Sequence, residues 1–369
     1  MHDIKIIIAG GGTGGHIFPA IAIANAIKKF APATQILFVG ARGKMEMEKV
    51  PQAGYEIRGL DIAGFNRSSL IKNIGLPFKL IKSFFQVSGI IKNFKPTAVI
   101  GVGGYSSFPV LRFAQSKGIP TFIHESNSFA GKSNIMLGKK ARKVFTATGG
   151  MDKFFPLEKI IVTGNPVRQA IVNGKLNRAD ALQKFGLSAG KTTVLSMGGS
   201  LGAKTINEAI DRNLEQFEQH DLQLIWQTGK PYKERGLERA KGHSNVFVND
   251  FITNMEDAYA AADLVISRSG AMAIAELCVV KKPVLFVPYP FAAEDHQTEN
   301  AKTLVNKHAA KMITDADALQ LLVPAILELA KKETEQNELI GNIGKLAVTN
   351  ADEVIASAIL KEINEVLSR

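Results

Sequence analysis

The sequence predicts an α/β protein made of two doubly wound domains, each with a parallel sheet, that face one another across a cleft. Three observations support this prediction. Short β-branched runs alternate with longer amphipathic stretches along the whole chain. The 369 residues are too many for one ordinary domain and suit two. Each half also opens with a strand pattern followed directly by a glycine-rich turn.

Ten short runs have the composition of buried strands, five in each half. They are residues 4–9, 35–39, 97–102, 120–124 and 143–147, then 192–197, 222–227, 244–248, 264–267 and 283–287. Parallel strands need crossover helices, so this alternation predicts sheets made of βαβ units.

The domain boundary is predicted near residues 163–168 (TGNPVR), where Gly and Asn-Pro interrupt the pattern. We expect a first domain at residues 1–163 and a second at 164–350. Residues 351–369 follow, and the spacing of their apolar positions predicts a C-terminal helix that packs back on the first domain.

The composition is that of a globular protein, with 46% apolar and 21% charged residues. The single cysteine, Cys278, excludes an intramolecular disulfide framework and fits a reducing compartment. No apolar run approaches the ~18–20 residues of a transmembrane span, and the first residues lack a signal-peptide pattern. We expect a protein of the cytosol or of the cytosolic face of a membrane.

Positive charge is concentrated in the first half. Residues 1–164 contain 22 Lys and Arg against 8 Asp and Glu, whereas the remainder contains 23 against 26. The stretch between Asp61 and Glu125 has no acidic residue and contains Arg67, Lys72, Lys79, Lys82, Lys92, Lys95, Arg112 and Lys117. Such a field attracts an anionic partner, and charge alone leaves acidic lipid, nucleic acid and a phosphorylated substrate open.

Residues 70–94 mix apolar side chains with lysines at helical spacing. A core helix is one interpretation of this pattern. The alternative is a patch that lies on an anionic membrane, with apolar residues dipping in and lysines meeting the head groups.

A glycine-rich turn, residues 10–16 (GGGTGGH), follows the first strand and precedes a helix. Glycines let backbone N–H groups approach a ligand, and the helix N-terminus adds positive partial charge. The turn partly fits the dinucleotide fingerprint, but no acid follows Val39, which disfavours NAD, while Arg42 leaves NADP open. A tight turn without ligand is the other interpretation. His16 is either structural or able to take a proton from an attacking hydroxyl.

Two further motifs of the first half follow strands. Residues 101–107 (GVGGYSS) form a second glycine-rich loop, and residues 124–127 (HESN) lie at the strand end that faces the ligand crevice in open α/β sheets. The His-Glu pair lacks the second histidine of a zincin. Glu125 and Asn127 suit hydrogen bonding to a sugar, and a capped helix start at Ser126 or Asn127 is the alternative.

The second half has three such motifs. In residues 197–203 (MGGSLGA), amides and the Ser200 hydroxyl make a phosphate cradle that is not a Walker loop. In residues 267–276 (SRSGAMAIAE), Glu276 either stabilises a helix through the dipole or accepts two ribose hydroxyls. Residues 294–300 (EDHQTEN) begin a polar helix after a strand. No metal site is expected, because Asp315 and Asp317 fit a helix N-cap with acids in its first turn.

Taken in order along nearly the whole chain, these motifs resemble the MurG family of N-acetylglucosaminyltransferases, which complete lipid II in peptidoglycan synthesis. The resemblance rests on residues 11–16, 103–105, 124–127, 164–168, 198–203, 268–276 and 295–297. It implies the GT-B glycosyltransferase fold, with two Rossmann-like domains and the UDP-sugar bound mainly by the second. It implies no metal and no other cofactor.

The resemblance also implies roles for individual residues. His16 is the first choice for the catalytic base and Glu125 the second. In the first half, the resemblance places Thr13, Gly14 and Gly15 near the donor sugar and phosphates, Asn127 on the GlcNAc, and Tyr105 in a loop that suits the acceptor's pyrophosphate. In the second half, Arg168 and Ser200 contact the diphosphate, Ile252 meets the uracil through its backbone, and Gln297 reaches the sugar hydroxyls. The nucleoside is surrounded by Ala271, Met272, Ala273, Ile274, Ala275 and Glu276, with Glu276 on the ribose. Some family members carry Gln in place of Ser126 and His296, which makes those two side chains less secure.

The implied reaction is inverting transfer of GlcNAc from UDP-GlcNAc to the C4 hydroxyl of undecaprenyl-pyrophosphoryl-MurNAc-peptide (lipid I). With the basic first half, it implies peripheral attachment to an anionic membrane surface at the cytoplasmic face of the plasma (inner) membrane. Two other interpretations are a UDP-GlcNAc 2-epimerase, which needs no acceptor, and a nucleic-acid-binding protein. The chain lacks a recognisable nucleic-acid module, so we expect no nucleic-acid partner.

Overall fold

The computed structural model describes residues 3–64, 75–174, 177–199, 201–292 and 295–368. The chain divides into two compact units, which are Met1–Val167 with Asn350–Arg369, and Arg168–Thr349. Each unit contains one parallel sheet with helices between successive strands, which confirms the predicted α/β fold class.

The first unit holds a seven-stranded sheet in which every neighbouring pair is parallel. Its strands are β1 (Lys5–Ala9), β2 (Gln35–Ala41), β3 (Glu56–Leu60), β4 (Ala98–Gly101), β5 (Thr121–Glu125), β6 (Lys143–Thr146) and β7 (Ile160–Val162), in the spatial order β3-β2-β1-β4-β5-β6-β7. Its helices are α1 (Gly14–Phe30), α2 (Glu46–Gln52), α3 (Leu76–Phe94), α4 (Ser107–Ser116), α5 (Lys132–Gly138) and, from the end of the chain, α16 (Ala351–Leu367).

Strand β1 is covered on both faces. Ile6 and Ile8 belong to a core cluster that includes residues of α1 and α16, whereas Ile7 and Ala9 belong to a second cluster with residues of α3 and α4. Successive side chains of a strand point to opposite faces, so a continuous apolar run is what this position requires. Because the strands are parallel, the turns after β1, β4 and β5 all lie at the carboxyl ends of the strands, on the same side of the sheet.

Helix α3 is the described part of residues 70–94, and residues 70–74 lie outside the described chain, as do Arg67 and Lys72. One face of α3 is buried through Ser83, Val87 and Ile91. The opposite face carries Phe78, Ile81 and Phe85, which are 76%, 56% and 75% exposed. Within the described ranges, no helix combines the length and the apolar character needed to cross a bilayer.

The second unit holds a six-stranded parallel sheet. Its strands are β8 (Thr192–Met197), β9 (Leu222–Gln227), β10 (Val246–Asn249), β11 (Leu264–Ser267), β12 (Val284–Phe286) and β13 (Lys311–Met312), in the spatial order β10-β9-β8-β11-β12-β13. Its helices are α6 (Gln169–Val172), α7 (Arg178–Lys184), α8 (Lys204–Arg212), α9 (Leu214–Gln219), α10 (Lys233–Arg239), α11 (Met255–Ala261), α12 (Ala271–Val280), α13 (His296–Val305), α14 (Ala318–Ala330) and α15 (Glu333–Gly344).

The sequence did not predict β3, β7 and β13, and it placed β10 two residues early. All four lie at sheet edges. An edge strand keeps part of its surface exposed, so its apolar signal is weak, as Glu56 and Arg58 in β3 illustrate. At β10, the Asn245 side chain donates to the Leu222 carbonyl at 2.9 Å and lies in a turn before the strand.

Candidate active site

The first glycine-rich turn joins β1 to α1. Thr13 is the N-cap of α1 in an extended conformation, and Gly14 and Gly15 lie in the first helical turn. The Thr13 side chain is exposed and makes no capping hydrogen bond. A negatively charged ligand group at this helix end would be stabilised by the backbone amides and the helix dipole.

Glu46, which the sequence analysis did not single out, holds this turn. Its side chain is 1% exposed, Oε2 accepts from the Gly12 N–H at 2.9 Å, and Oε1 accepts from the Ala41 N–H at 2.9 Å. A Cβ at Gly11 would lie 2.3 Å from Oε1, so the approach requires glycine. The Gly12 amide is therefore bonded to a protein carboxylate. The fingerprint places its acid directly after the second strand, whereas here the acid begins the following helix.

His16 lies in α1 with its ring against Gly103, where a Cβ would come within 2.7 Å of the imidazole. Burial lowers the pKa of His16, against the opposing charges of Glu125 and Glu46. Burial, helped by the charge of His16, lowers the pKa of His124 to about 4. Both imidazoles are therefore uncharged at neutral pH, and His124 is a weak base.

Glu125 organises the loop that follows β5. Its Oε1 accepts from the Asn127 backbone N–H at 3.1 Å and from Asn127 Nδ2 at 3.2 Å. Its Oε2 accepts from the Gly131 N–H at 3.1 Å and from Asn134 Nδ2 at 2.8 Å. Four donors thus surround this buried carboxylate, and the Asn127 side chain is held beside it.

Tyr105 packs beside the first turn. A Cβ at Gly64 would lie 2.8 Å from its ring, and one at Gly12 would lie 3.6 Å away. Burial, together with the charge of Glu46, raises the pKa of Tyr105, so its phenol stays protonated at neutral pH. The second glycine-rich loop therefore contacts the first.

The glycine-rich loop of the second unit joins β8 to α8, and Ser200 in its middle lies outside the described residues. Gly202 has φ +76°, and a Cβ there would lie 2.1 Å from the Thr228 carbonyl oxygen. The loop therefore packs directly on the end of β9, at the carboxyl edge of the sheet.

Gln227, at the end of β9, connects the segment that contains Ile252 to the glycine-rich loop after β8. Its Oε1 accepts from the Ile252 N–H at 2.9 Å, and its Nε2 donates to the Gly199 carbonyl at 3.3 Å. The Ile252 amide, which the resemblance assigns to uracil, is thus bonded to Gln227 in this structure. A glutamine ending a buried strand carries no sequence signal that would have identified it.

Glu276 is the sixth residue of α12, one turn beyond the position where the helix dipole acts most strongly. Its Oε1 accepts from Arg168 Nε at 3.1 Å and lies 3.0 Å from Nη2, and its Oε2 accepts from the Tyr259 hydroxyl at 2.9 Å. Arg168, assigned to the diphosphate by the resemblance, therefore pairs with the residue assigned to the ribose. Residues 271–275, which form the first turns of α12, are partly exposed.

Gln297 lies in the first turn of α13. Its Oε1 accepts from the Tyr289 N–H at 3.0 Å, and its carbonyl accepts from the Ser269 hydroxyl at 2.8 Å. These bonds bring the segment after β12 to the start of α12.

Asp315 and Asp317, the Asp-x-Asp pair, make three structural hydrogen-bond contacts through their carboxylates. Asp317 is the N-cap of α14, and its carboxylate accepts from the Thr314 hydroxyl at 2.6 Å. Asp315 accepts from Arg268 at 2.5 Å and from the Thr205 hydroxyl at 2.9 Å. The predicted helix N-cap is confirmed at Asp317, whereas the expectation of acids in the first turn is wrong, because α14 begins only at Ala318. Within the described residues, no group of His, Cys, Asp and Glu side chains is arranged to hold a metal ion.

Comparison with known proteins gives consistent results for both units. Residues 6–146 match the glycosyltransferase family 28 N-terminal domain, and residues 193–355 match the glycosyltransferase family 28 C-terminal domain. A UDP-N-acetylglucosamine--N-acetylmuramyl-(pentapeptide) pyrophosphoryl-undecaprenol N-acetylglucosamine transferase of Bacteroides fragilis is 51% identical over 362 residues, covering 97% of this chain and 95% of the relative.

Solved structures agree with this assignment. Acinetobacter baumannii MurG is 30% identical and superposes with a TM-score of 0.71, covering 97% of this chain and 99% of its own. A UDP-GlcNAc 2-epimerase from Neisseria meningitidis, solved with UDP-GlcNAc, has a TM-score of 0.72 at 14% identity, covering 97% and 100% of the two chains, and shows the fold alone. Because the sequence match extends over nearly the full length of both proteins, the chain belongs to the MurG family of glycosyltransferases with the GT-B fold.

Proposed function

We propose that this protein transfers GlcNAc from UDP-GlcNAc to the C4 hydroxyl of undecaprenyl-pyrophosphoryl-MurNAc-peptide, with inversion at the anomeric carbon. The observation that carries the proposal is the 51% identity, over 97% of the chain, to a relative named for this donor group and this lipid-linked acceptor. The products are UDP and the β1→4-linked disaccharide lipid.

In this proposal the second unit, Arg168–Thr349, binds the donor. Glu276 accepts ribose hydroxyls, the backbone of residues 271–275 surrounds the nucleoside, and the Ile252 backbone meets the uracil. Gln297 reaches the sugar hydroxyls, and Ser200 contacts the diphosphate. The support is that Glu276 is held in place by Arg168 and Tyr259 at the carboxyl edge of the sheet, where ligands bind in open α/β folds.

The first unit, Met1–Val167 with Asn350–Arg369, binds the acceptor. Thr13, Gly14 and Gly15 lie at the N-terminus of α1 and suit phosphate or sugar oxygens. Tyr105 donates toward the acceptor's pyrophosphate, and Asn127 contacts the GlcNAc. The basic composition of residues 1–164 favours an anionic, lipid-linked substrate.

His16 is the proposed general base. The acceptor hydroxyl gives its proton to the His16 imidazole as its oxygen bonds to the anomeric carbon, while the bond to UDP breaks and the leaving oxygen takes its electron pair. A lowered pKa keeps His16 unprotonated and ready at neutral pH. Glu125 is the weaker candidate, because four donors already engage its carboxylate.

We further propose that the protein is peripheral at the cytoplasmic face of the plasma (inner) membrane, attached to anionic lipid without a nucleic-acid partner. The exposed aromatic face of α3, formed by Phe78, Ile81 and Phe85, supports this. Lysines at a bilayer surface contribute about 1 kcal/mol each. Lys79 extends from the same helix, although Lys82 pairs with Asp61 at 2.9 Å.

The decisive experiment incubates the full-length protein with radiolabelled UDP-GlcNAc, with and without a lipid I analogue. We expect label in the lipid product only when the acceptor is present. Conversion of UDP-GlcNAc to its 2-epimer without acceptor would instead establish the epimerase, whose fold is shared. If neither product formed, both the transferase and the epimerase assignments would be contradicted.

A further inference from the structure

The carboxylate of Glu276 is anchored from two sides within the second unit. The Tyr259 hydroxyl donates to Oε2 at 2.9 Å, and Arg168 donates to Oε1 through Nε at 3.1 Å. Tyr259 comes from α11, Arg168 directly precedes α6, and Glu276 belongs to α12, so three segments meet at one side chain. Tyr259 is 1% exposed and Glu276 is 8% exposed, so water does not readily replace the Tyr259 hydroxyl as a partner of the carboxylate.

Both anchors donate to the carboxylate. Burial, with the nearby charge of Glu276, raises the pKa of Tyr259 well above its usual value, so the phenol keeps its proton. Arg168 is a permanent cation without acceptor atoms. Each carboxylate oxygen has two lone pairs. Two Arg168 nitrogens lie within 3.1 Å of Oε1, whereas Oε2 accepts from the Tyr259 hydroxyl and keeps one acceptor position for a ligand hydroxyl.

We propose that Tyr259, together with Arg168, fixes the Glu276 carboxylate in the orientation that receives a ribose hydroxyl, and thereby sets a preference for ribonucleotides over deoxyribonucleotides. Tyr259 is a positioning residue, because it acts through Glu276. The inference rests on the proposed function, in which Glu276 binds the ribose.

The selectivity follows from the cost of leaving a desolvated acceptor unpaired. When a nucleotide lacks the hydroxyl, a carboxylate held on both oxygens cannot rotate to another donor, and water has little access to it. If one anchor is removed, the carboxylate can turn and recover a partner. Discrimination then falls, even though every contact that the nucleotide itself makes is still available.

The test is calorimetric titration of the full-length protein with UDP, 2′-deoxy-UDP and 3′-deoxy-UDP. Variants are Tyr259→Phe, Glu276→Gln and the double variant, and Arg168→Lys tests the other anchor if the phenylalanine variant does not fold. Tyr232→Phe is the matched control, because that phenol also donates to a buried carboxylate of the same unit, Asp211, at 2.6 Å.

We expect the wild type to bind UDP about tenfold or more tightly than at least one deoxy analogue, and Tyr259→Phe to reduce that ratio at least threefold. The Glu276→Gln variant should lose most of the discrimination, and the double variant should lose little more, because the two residues act as one unit. The control should keep the wild-type ratio. Where Arg168→Lys is used, a reduced ratio supports the proposal.

An unchanged or larger ratio in Tyr259→Phe, or additive losses in the double variant, would overturn the role of Tyr259 while leaving the proposed function intact. If Glu276→Gln left the ratio unchanged, the ribose assignment itself would be wrong and the inference with it. A wild type that binds no UDP would contradict the proposed function.

Discussion

His16 and His124 lie near one another in the first unit, and their surroundings give them different chemistry. His16 is partly exposed, and its lowered pKa is partly offset by the charges of Glu125 and Glu46. His124 is 1% exposed, and its pKa is lowered to about 4. A general base must contact the hydroxyl of the substrate and must release the proton it has taken before the next turnover. Only the less buried ring, His16, can do both.

Replacement of His16 by alanine should lower kcat by about 10²–10⁴-fold, the usual contribution of general base catalysis. The affinity for UDP should be unchanged, since the proposed contacts to uracil and ribose lie in the second unit. In the wild type, the midpoint of the acid limb of the pH profile of kcat/KM should lie below pH 6.5, because burial lowers the pKa of His16. The exposed His220→Ala variant is the control. Near-normal turnover of His16→Ala with saturating donor would exclude His16 as the base.

The pKa of His124 makes the folded state sensitive to acid. Unfolded histidine binds its proton near pH 6.5 and folded His124 only near pH 4, so the unfolded state binds more protons between these values and stability falls as the pH decreases. Between pH 7 and pH 4.5 the loss should be about 2–3 kcal/mol. Urea denaturation at both pH values measures the free energy of unfolding, and the loss between pH 7 and pH 4.5 should be smaller in His124→Gln than in the wild type. An equal loss in that variant would assign the acid sensitivity to other groups.

At the scale of elements, the contact between α2 and the first glycine-rich turn couples two loops of the sheet. Glu46 starts α2 and bonds to the Gly12 amide, which follows β1, and to the Ala41 amide at the end of β2. The turn can approach it only because Gly11 lacks a Cβ. The geometry of the segment that carries Thr13 to His16 therefore depends on a helix thirty residues further along the chain.

Gly11→Ala should destabilise the protein by about 1–3 kcal/mol, because a Cβ would lie 2.3 Å from Glu46 Oε1 and the backbone has φ +144°. Gly89→Ala in α3 is the control, since no atom lies within 4 Å of its Cβ position. That change should stabilise the helix by about 0.5–1 kcal/mol. Urea unfolding measures both free energies, and equal effects of the two substitutions would contradict the steric argument.

The exposed face of α3 should bind anionic bilayers. The double variant Phe78→Ser and Phe85→Ser should weaken binding to phosphatidylglycerol-containing vesicles at least tenfold, because each phenylalanine contributes about 1.5–3 kcal/mol when buried. Leu157→Ser, a change at a 73% exposed apolar residue elsewhere in the first unit, should leave binding unchanged. Co-sedimentation with vesicles distinguishes these outcomes, and equal losses would remove α3 as the membrane contact.

At the scale of the whole molecule, the fold class and the central strands could be predicted because they depend on local pattern. Strand β1 is apolar from Ile6 to Ala9 and strand β8 is buried from Thr193 to Met197, and each is followed by glycines, so strand pattern and turn chemistry agree. The edge strands β3, β7 and β13 escaped prediction for different reasons. Strand β3 leaves Glu56 and Arg58 in solvent, and strands β7 and β13 contain only three and two residues. The glycine-rich turns could be located for the same reason as the central strands, since glycines that directly follow an apolar run are easy to recognise in the sequence.

The sequence by itself determined the two α/β units, the places where their glycine-rich turns begin, and membership of a glycosyltransferase family. Only the tertiary structure decided which side chains support those turns. Glu46, Gln227 and Tyr259 lie in unremarkable helical or strand patterns, and each acts on a residue brought near by the sheet. A hydrogen bond depends on distance in space, and separation along the chain does not encode that distance.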